Sequence, residues 1–476
     1  MSTDAGLAGL AALEREVARQ ELVTAPAGQP WAHARAGLDH SVAIVGAGHS
    51  GLAIAHGLRR RGIADVLIVD AAAEGLAGPW RSYARMHTLR TPTHVEWPDF
   101  GVPAANPQSW FRAAYGDDAW QSLERMPRPD WHAFLEWYRR VLRLPVRFGA
   151  RLESVALDGD AVSLTFADET VVTAERVVLA TGLEGAGARR VPEAISRALP
   201  RERWHHIHDD IDFAALAGAR VGVLGGGTGA FDNAATALEA GAASVDVHLR
   251  RAAMPTVSPY RWMEFPGILE HFCELDDAQR WAFHAHLAEV DQPATQQAVW
   301  RAFGFDAFRF LTGSAWRAVA WDGSEIVVTT DAAEYRYDHV LAATGVEVDL
   351  ARRPELAGIH SDVLLWGDRP VAAGGPHPEL GRYPYLDDGF GLVSRSGDGR
   401  LGRVHLFNHG ARMSHGMLAH QVSGLRGGAE RLVTGIVGGL TADRAASLLA
   451  EFLAYDVPAG VRLGRAPRDG ATVDAA

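Results

Sequence analysis

The chain has 476 residues, a hydrophobic content of 47% and a formal net charge of -12 at pH 7. This length and composition allow two or three domains with hydrophobic cores, and the acidic balance argues against a nucleic-acid partner. Cys273 is the only cysteine, which excludes an intramolecular disulfide or a C-x-x-C redox pair, and the absence of lysine excludes P-loop and Schiff-base chemistry.

The first 40 residues are acidic and mixed in composition. They have neither the basic start nor the apolar run of a signal peptide, and no later stretch reaches the length of a membrane span. The spacing of Leu7, Leu10, Leu13 and Val17 predicts a short amphipathic helix that docks on the body of the protein. We therefore expect a cytoplasmic protein without a membrane partner, and the sequence leaves a homo-oligomer open.

A dinucleotide-binding fingerprint follows this leader. An apolar strand, residues 42–45, ends in the G-x-G-x-x-G turn of Gly46, Gly48 and Gly51, and a helix pattern comes next. In such a turn the first glycine permits the reversal, the second lets the backbone approach a pyrophosphate, and the third lets helix and strand pack. A second apolar strand ends at Asp70, at the spacing expected for a ribose hydroxyl contact.

Between this fingerprint and a second one, periodicity predicts a helix over residues 130–144 and then a series of strands. The predicted strands cover residues 146–148, 151–157, 161–166 and 170–173.

The second fingerprint differs from the first in a useful way. An apolar strand leads into the turn of Gly225, Gly227 and Ala230, and the strand after it ends at Arg250 and Arg251, where the first copy has an acid. Arginine at this place suits a 2′-phosphate, so the second site predicts NADPH over NADH. Two dinucleotides held by one chain most commonly serve to pass a hydride from a nicotinamide to a flavin. Beyond this site we expect helices over about 262–310, strands at 325–330 and 335–337, and a tail of strand, loop and helix from 404 onward.

Two A-T-G segments stand before and after the second fingerprint. Each is an apolar strand that ends in a tight turn, at Thr181-Gly182 and at Thr344-Gly345, and we interpret both turns as hinges. This predicts an α/β fold of two Rossmann-like, three-layer domains, the second inserted into the first. The predicted boundaries are a helical leader at 1–40, a first domain at 41–200 and 345–476, and a second domain at 201–344 with a helical insertion at about 262–310.

The order of these motifs resembles the class B flavoprotein monooxygenases, over roughly residues 41–435. That group includes the flavin-containing monooxygenases, the Baeyer–Villiger monooxygenases and the microbial N-hydroxylases of amines. The resemblance implies FAD in the first domain and NADPH in the second. It also implies that O₂ forms a C4a-(hydro)peroxyflavin, which passes one oxygen atom to a heteroatom of a small-molecule substrate in a dry pocket.

The resemblance also suggests roles for residues outside the glycines. Trp80 and Arg81 lie in a G-x-W-like turn near the flavin, and His87 and Leu89 in a loop that resembles the one beside the isoalloxazine. In that loop Arg90 and Thr91 replace the usual Asn or Ser before proline, and they are the candidate catalytic residues. Asn408 begins a segment whose helix N-terminus would face the flavin. The other predicted cofactor contacts are His49, Ser50, Thr181, Thr228, Gly229 and Thr344.

Departures from the family pattern bear on the reaction. His208 stands near the place of the family's linker histidine, but the Phe and Gly before it and the W-P after it are missing. This weakens the Baeyer–Villiger interpretation and favours N-hydroxylation of an amine. Baeyer–Villiger or sulfur oxygenation remains open, as does an NADPH-sensing flavoprotein that oxygenates nothing. The histidines at 205, 206 and 208 lack metal-ligand spacing, so we expect no metal. The candidate cap residues over the cleft are Arg261, Trp262, Glu264 and Gln292.

Overall fold

The computed structural model describes residues 4–24, 30–372, 377–419 and 421–459, and its strands form four sheets within these ranges. The strands are β1 His40–Val45, β2 Val66–Val69, β3 Leu152–Asp158, β4 Ala161–Phe166, β5 Val171–Leu179, β6 Gly187–Arg189, β7 Trp204–His206, β8 Arg220–Leu224, β9 Ser244–His248, β10 Phe308–Leu311, β11 Ala318–Trp321, β12 Ile326–Thr329, β13 Glu334–Tyr337, β14 His339–Ala342, β15 Val346–Val348 and β16 Val404–Leu406.

The α-helices range from single turns to the 20-residue first helix. They are α1 Asp4–Val23, α2 His49–Arg60, α3 Pro107–Tyr115, α4 Asp117–Gln121, α5 Arg128–Val141, α6 Glu193–Ser196, α7 Thr228–Glu239, α8 Pro259–Trp262, α9 Pro266–His271, α10 Asp277–Val290, α11 Gln296–Phe303, α12 Arg412–His415, α13 Leu425–Asp443 and α14 Ala445–Ala454.

The first sheet is built around two parallel neighbours, β1 and β5. Its order is β2-β1-β5-β4-β3, and β16 pairs with the second half of β5. Strands β1, β2, β5 and β16 run parallel, whereas β3 and β4 form an antiparallel hairpin beside β5. Because the chain leaves β1 for β2 on one side and returns to β5 on the other, the carboxyl ends of β1 and β5 form a topological switch point, where α/β sheets bind ligands.

The second sheet is wholly parallel, with the order β10-β9-β8-β14-β7. Its switch point lies between β8 and β14, by the same logic as in the first sheet. A three-stranded antiparallel sheet, β11-β12-β13, stands before β14, and the short strands β6 and β15 pair with each other. The α/β fold with two Rossmann-like sheets is confirmed, and the predicted domain boundaries stay a prediction.

Helix packing on the first sheet follows from the sequence pattern. Helix α2 is buried from Ser50 to Leu58 and contacts β1, β2 and α13. We call the first sheet with the helices packed on it the first half of the molecule, and the second sheet with its helices the second half. Helix α1 packs on α3, and Gly9 approaches so closely that a Cβ there would lie 2.2 Å from the carbonyl oxygen of Ala113. Of the face predicted to dock, Leu10, Leu13 and Val17 pack against the body of the protein, whereas Leu7 is exposed.

Several predicted elements were wrong in extent. The helix predicted at 130–144 ends at Val141, and two residues later Arg143 has a φ of +51°, which stops the helix. Residues 146–148 are not a strand, and only an isolated bridge joins Arg147 to Val69. The predicted strand at 170–173 and the A-T-G strand after it are one long strand, β5, because one half pairs with β4 and the other with β1 and β16.

The helical stretch predicted up to residue 310 ends earlier. Helix α11 stops at Phe303, and residues 308–311 form β10, the edge strand beside β9. The strand β11 was missed, because its pattern of exposure and partial burial gives a weak signal over four residues. Among the described residues no single helix has the length and apolar composition of a membrane span, although the bent pair Val422–Asp443 and Ala445–Ala454 meets both criteria jointly.

A buried carboxylate joins three distant parts of the chain. Glu175 on β5 is fully buried, and it contacts the guanidinium of Arg35 at 3.0 Å and that of Arg444, which follows α13. Removing one partner of a buried ion pair leaves uncompensated charge, whereas an exposed pair contributes little.

We expect Glu175→Ala to lower the free energy of unfolding by about 3–5 kcal/mol, because Arg35 and Arg444 lose their shared partner. The matched control is Glu193→Ala, which removes an exposed pair with Arg197 and should cost less than about 1 kcal/mol. Chemical denaturation followed by fluorescence measures both. Equal losses in the two variants would show that the buried pair contributes no more than the exposed one.

Candidate functional site

The first fingerprint turn lies at the switch point between β1 and β5. Gly46 has a φ of +107°, and a Cβ on it would lie 2.4 Å from the carbonyl oxygen of Ala180. Gly51 brings α2 against the turn, since its Cβ would lie 1.8 Å from the carbonyl oxygen of Gly46. The backbone packing itself therefore requires glycine at both positions.

Gly48 is a glycine for a different reason. Its φ is −69°, which any residue can adopt, and the nearest atom to a Cβ would be the Cα of Gly78 at 4.0 Å. The protein thus leaves open space at the amino end of α2, where a pyrophosphate would receive backbone N–H groups and the helix dipole. This cradle fits FAD.

Two buried nitrogens beside the turn support the same fit. The Nε2 of His49 and the Nε1 of Trp80 are buried, and neither has a hydrogen-bond partner within the described part of the chain. Their rings lie 6.1 Å apart. Burial lowers the pKa of His49 to about 4, so its imidazole is neutral. A buried polar group without a partner is costly, and a bound cofactor that supplies acceptors would remove that cost.

Asp70 is hydrogen-bonded to the backbone of the first fingerprint turn. One carboxylate oxygen accepts from the backbone N–H of Ala47 and the other from that of Ala72, each at 2.8 Å. The carboxylate is thus fixed at the end of β2, beside the glycine turn, where the ribose contact was predicted. Ser50 is buried in α2, and Arg81 is exposed to solvent.

The second turn repeats the first at the switch point of the second sheet. Gly225 has a φ of +127°, and a Cβ on it would lie 2.3 Å from the carbonyl oxygen of Ala343. A Cβ on Gly227 would meet nothing within 4 Å, whereas Ala230 is already accommodated in the core. This open space at the start of α7 fits the pyrophosphate of NADPH.

The side chains around the second turn differ in whether they already have a hydrogen-bond partner in the protein. Thr228 accepts a hydrogen bond from the backbone N–H of Thr295 at 3.1 Å, and Gly229 approaches Ile207 closely. Arg251 donates to the carbonyl oxygen of Glu289 at 3.0 Å. Arg250 is exposed, and no ion pair or hydrogen bond of its side chain is found among the described residues. Of the two predicted arginines, Arg250 is therefore the one available to a phosphate.

The polar residues of the A-T-G turns bond within the protein. The Nδ2 of Asn408 donates to the Oγ1 of Thr181 at 3.0 Å, and its Oδ1 accepts from the N–H of Gly410 at 2.8 Å. The hydroxyl of Thr344 donates to the carbonyl oxygen of Arg190. These bonds fix the turns. The predicted contacts of Thr181, Thr344 and Asn408 with cofactors stay predictions.

The loop with the candidate catalytic residues contacts the second half of the molecule. Arg301 of α11 donates to the carbonyl oxygen of Arg85 at 2.9 Å, and Thr88 bonds Gln297 of the same helix. Leu89 is buried and Thr91 half-buried, and both line one small cavity, whereas His87 is exposed.

The charge of Arg90 acts on Asp232 of α7, although among the described residues the two do not form an ion pair within 4 Å. Solvent reaches Arg90, yet enough protein surrounds its guanidinium to lower the pKa of Arg90, and Asp232 opposes that shift. Burial raises the pKa of the Asp232 carboxyl to about 6, against the effect of Arg90 and of Arg301, which lies 3.7 Å away. Asp232 lies four residues after Thr228, so the charge of Arg90 acts on the helix that begins at the second dinucleotide turn.

Sequence reasoning missed a group of polar side chains that we call the Arg412 cluster. It comprises Tyr260, His284, Tyr383, His409 and Arg412. The guanidinium of Arg412 lies 5.2 Å from the ring centroid of Tyr260 and donates to its hydroxyl, and the hydroxyl of Tyr383 lies 3.2 Å from the Nε2 of His409. No spacing rule links these residues, so the sequence offered no signal for them.

The three neighbouring histidines of the 205–208 segment have separate partners. His205 contacts His339, His206 contacts the carbonyl oxygen of Gly345, and His208 contacts Glu184. Within the described residues, no group of three His, Cys, Asp or Glu side chains is arranged to hold a metal.

Comparisons with known proteins agree with this geometry. The family model described as pyridine nucleotide-disulphide oxidoreductase matches residues 43–303. The chain is 39% identical over 457 residues to the FAD-dependent urate hydroxylase of Xanthomonas campestris pv. campestris, which covers 94% of this chain and 96% of that protein. It is 26% identical over 372 residues to a Baeyer–Villiger monooxygenase of Streptomyces coelicolor, covering 70% of this chain and 67% of that one.

A solved structure shows the same fold at low identity. The Kutzneria sp. 744 ornithine N-hydroxylase, in complex with reduced FAD, NADP⁺ and L-ornithine, superposes with a TM-score of 0.66 at 16% identity, over 84% of this chain and 99% of that one.

The open glycines give a direct test of the two cradles. We expect Gly48→Ala to fold, because its Cβ meets no protein atom, but to bind less FAD, because the Cβ occupies the pyrophosphate space. Gly227→Ala should keep FAD and raise the KM for NADPH. The flavin content of the purified proteins and steady-state kinetics measure these effects. Loss of FAD in Gly227→Ala, or full FAD in Gly48→Ala, would contradict the assignment.

The two arginines after β9 give a matched pair. We expect Arg250→Ala to raise the KM for NADPH about 10- to 100-fold without changing the KM for NADH, because a charge-assisted phosphate contact is lost. Arg251→Ala should have a smaller effect, since Arg251 already bonds Glu289. A larger effect in Arg251→Ala would assign the 2′-phosphate to that residue.

Proposed function

This chain belongs to the class B flavoprotein monooxygenases, which use FAD, NADPH and O₂, and we propose that it hydroxylates urate or a closely related oxidised purine. The observation that carries the proposal is the 39% identity to a urate hydroxylase over nearly the whole length of both proteins. The single buried cysteine agrees with monooxygenation, because a disulfide reductase of this fold needs a second thiol.

The overall reaction balances as a monooxygenation. One NADPH, one proton and one O₂ are consumed, one oxygen atom enters the substrate, and the other leaves as water with NADP⁺ as coproduct. When bound, FAD accepts the hydride of NADPH and activates O₂.

The residues of this chain supply binding, orientation and exclusion of water. The open backbone at Gly48 admits one pyrophosphate and that at Gly227 the other, and Arg250 selects the 2′-phosphate. Contacts of Arg301 and Gln297 with residues 85–88 connect the second half of the molecule to the flavin loop. The imidazoles of His49 and His409 remain neutral, since burial lowers their pKa values to about 4 and about 3, so neither adds positive charge to the site at neutral pH.

N-hydroxylation of an amine, which the sequence motifs favoured, is the second candidate. Its support is the fold shared with an ornithine N-hydroxylase at 16% identity. We rank it second because the identity to the urate hydroxylase is 39% over nearly the whole of both chains.

Turnover with urate tests the proposal. We expect urate to accelerate NADPH oxidation by the FAD-loaded enzyme, with one urate consumed per NADPH and one atom of labelled O₂ in the product. L-Ornithine and a cyclic ketone serve as matched trial substrates for the N-hydroxylase and Baeyer–Villiger reactions. If urate leaves the rate unchanged and all reducing equivalents appear as hydrogen peroxide, the proposed function is wrong, and oxygenated ornithine would replace it with N-hydroxylation.

A further inference from the structure

We infer that Arg412 anchors the substrate, and that the Arg412 cluster is a binding site for a planar, anionic heterocycle such as urate. This inference rests on the proposed function and names the residue that would recognise the substrate. Four observations support it: the unpaired charge of Arg412, the uncharged side chains of the other cluster members, its position between the two halves of the molecule, and the chemistry of its neighbours.

Arg412 lacks the carboxylate partner that two comparable arginines have. Arg280, Arg369 and Arg412 each lie over a tyrosine ring, at 5.6, 4.9 and 5.2 Å from the ring centroid. Arg280 and Arg369 also pair with the carboxylate of Asp277 at 2.7 and 2.8 Å. Arg412 has no carboxylate within 4 Å in the described part of the chain, and a half-buried cation without a counter-ion favours an incoming anion.

The rest of the cluster adds hydrogen-bonding groups without adding charge. His284 is 2% exposed, and burial holds its pKa well below the ordinary value, with Arg412 acting in the same direction. Burial likewise lowers the pKa of His409 to about 3. His284 bonds the backbone of Arg412, and its Nε2 is buried with no hydrogen-bond partner among the described atoms. The five residues of the Arg412 cluster therefore hold one positive charge and a buried polar atom without a partner among the described residues.

The cluster draws on both halves of the molecule. Arg412 begins α12, four residues after Asn408, which bonds Thr181 beyond the carboxyl end of β5 at the first switch point. Tyr260 lies in α8, which follows β9 of the second sheet. A ligand bound by Arg412 beside its contact with Tyr260 would thus meet one element from each dinucleotide-binding half, as a substrate that meets both cofactors must.

The neighbours of Arg412 match the chemistry of an oxidised purine. A guanidinium presents a planar fork of donors that can hold an anionic amide edge with two hydrogen bonds. The hydroxyls of Tyr260 and Tyr383 and the Nε2 of His284 offer further hydrogen bonds to the polar edges of such a heterocycle. An aliphatic amine could use few of these groups.

Equilibrium binding of urate to the FAD-loaded enzyme, without NADPH, tests the inference. We expect Arg412→Met to weaken urate binding about 10- to 100-fold, since a charge-assisted contact is lost. Arg412→Lys keeps the charge without the fork and should weaken it less. Arg369→Met is the matched control, because it removes an arginine from a tyrosine ring outside the cluster, and its urate affinity should equal that of the wild type. Calorimetry or the change in flavin absorbance gives the dissociation constants.

The possible outcomes distinguish a failure of this inference from a failure of the proposed function. If wild-type enzyme binds urate and Arg412→Met binds it equally well, the inference is wrong and the proposed function stands. If the variant binds urate normally but shows a raised KM for NADPH, Arg412 serves the nucleotide instead, which also overturns the inference. A wild type that binds no urate overturns both. Should Arg412→Met fail to fold, Arg412→Lys still decides, because unchanged affinity in that variant contradicts recognition by the fork.

Discussion

In both halves of this protein, a glycine pressed against a carbonyl oxygen fixes the place where a dinucleotide can bind. Gly46 and Gly225 would each clash with a backbone carbonyl if they carried a Cβ, at 2.4 Å from Ala180 and 2.3 Å from Ala343. Those two alanines open the A-T-G segments. The fingerprint and the A-T-G motif are thus two sides of one contact at a switch point, which is why they occur in pairs along the sequence. The tight contact on one side leaves the open side at Gly48 and Gly227.

The chemistry then depends on how the two sites face each other. Helix α11 contacts the loop before Arg90, and Asp232 of α7 lies near that arginine. The Arg412 cluster adds a third connection through Tyr260. These contacts involve side chains rather than shared strands, so a small rotation between the halves would break none of the strand pairings within either sheet. Such freedom suits an enzyme that must admit a substrate and then exclude water.

Local rules accounted for most of the framework. The glycine turns, Asp70, the α/β class and the strands of both switch points follow from short-range patterns, and the structure contains them. The elements that these patterns predicted wrongly depend on tertiary contacts. Residues 146–148 have strand-like composition but lack a neighbouring strand, and β5 is long because different partners pair with its two halves.

The substrate side was least accessible from the sequence. Arg412 and Tyr260 are 152 residues apart, and no periodicity connects them. The predicted cap residues Arg261, Trp262, Glu264 and Gln292 are all exposed, although the first two directly follow Tyr260. The N-hydroxylase interpretation rested on the family residues that are missing around His208, and the motifs that the class shares describe cofactor binding and not the substrate.

Anaerobic mixing of the FAD-loaded protein with NADPH tests most directly whether the two glycine turns hold two dinucleotides that react with each other. If they do, the visible absorbance of the bound FAD disappears, at a rate that saturates with NADPH concentration and falls in Gly227→Ala. If NADPH binds and the flavin stays oxidised, the two sites do not exchange a hydride, and the protein is not the monooxygenase described above.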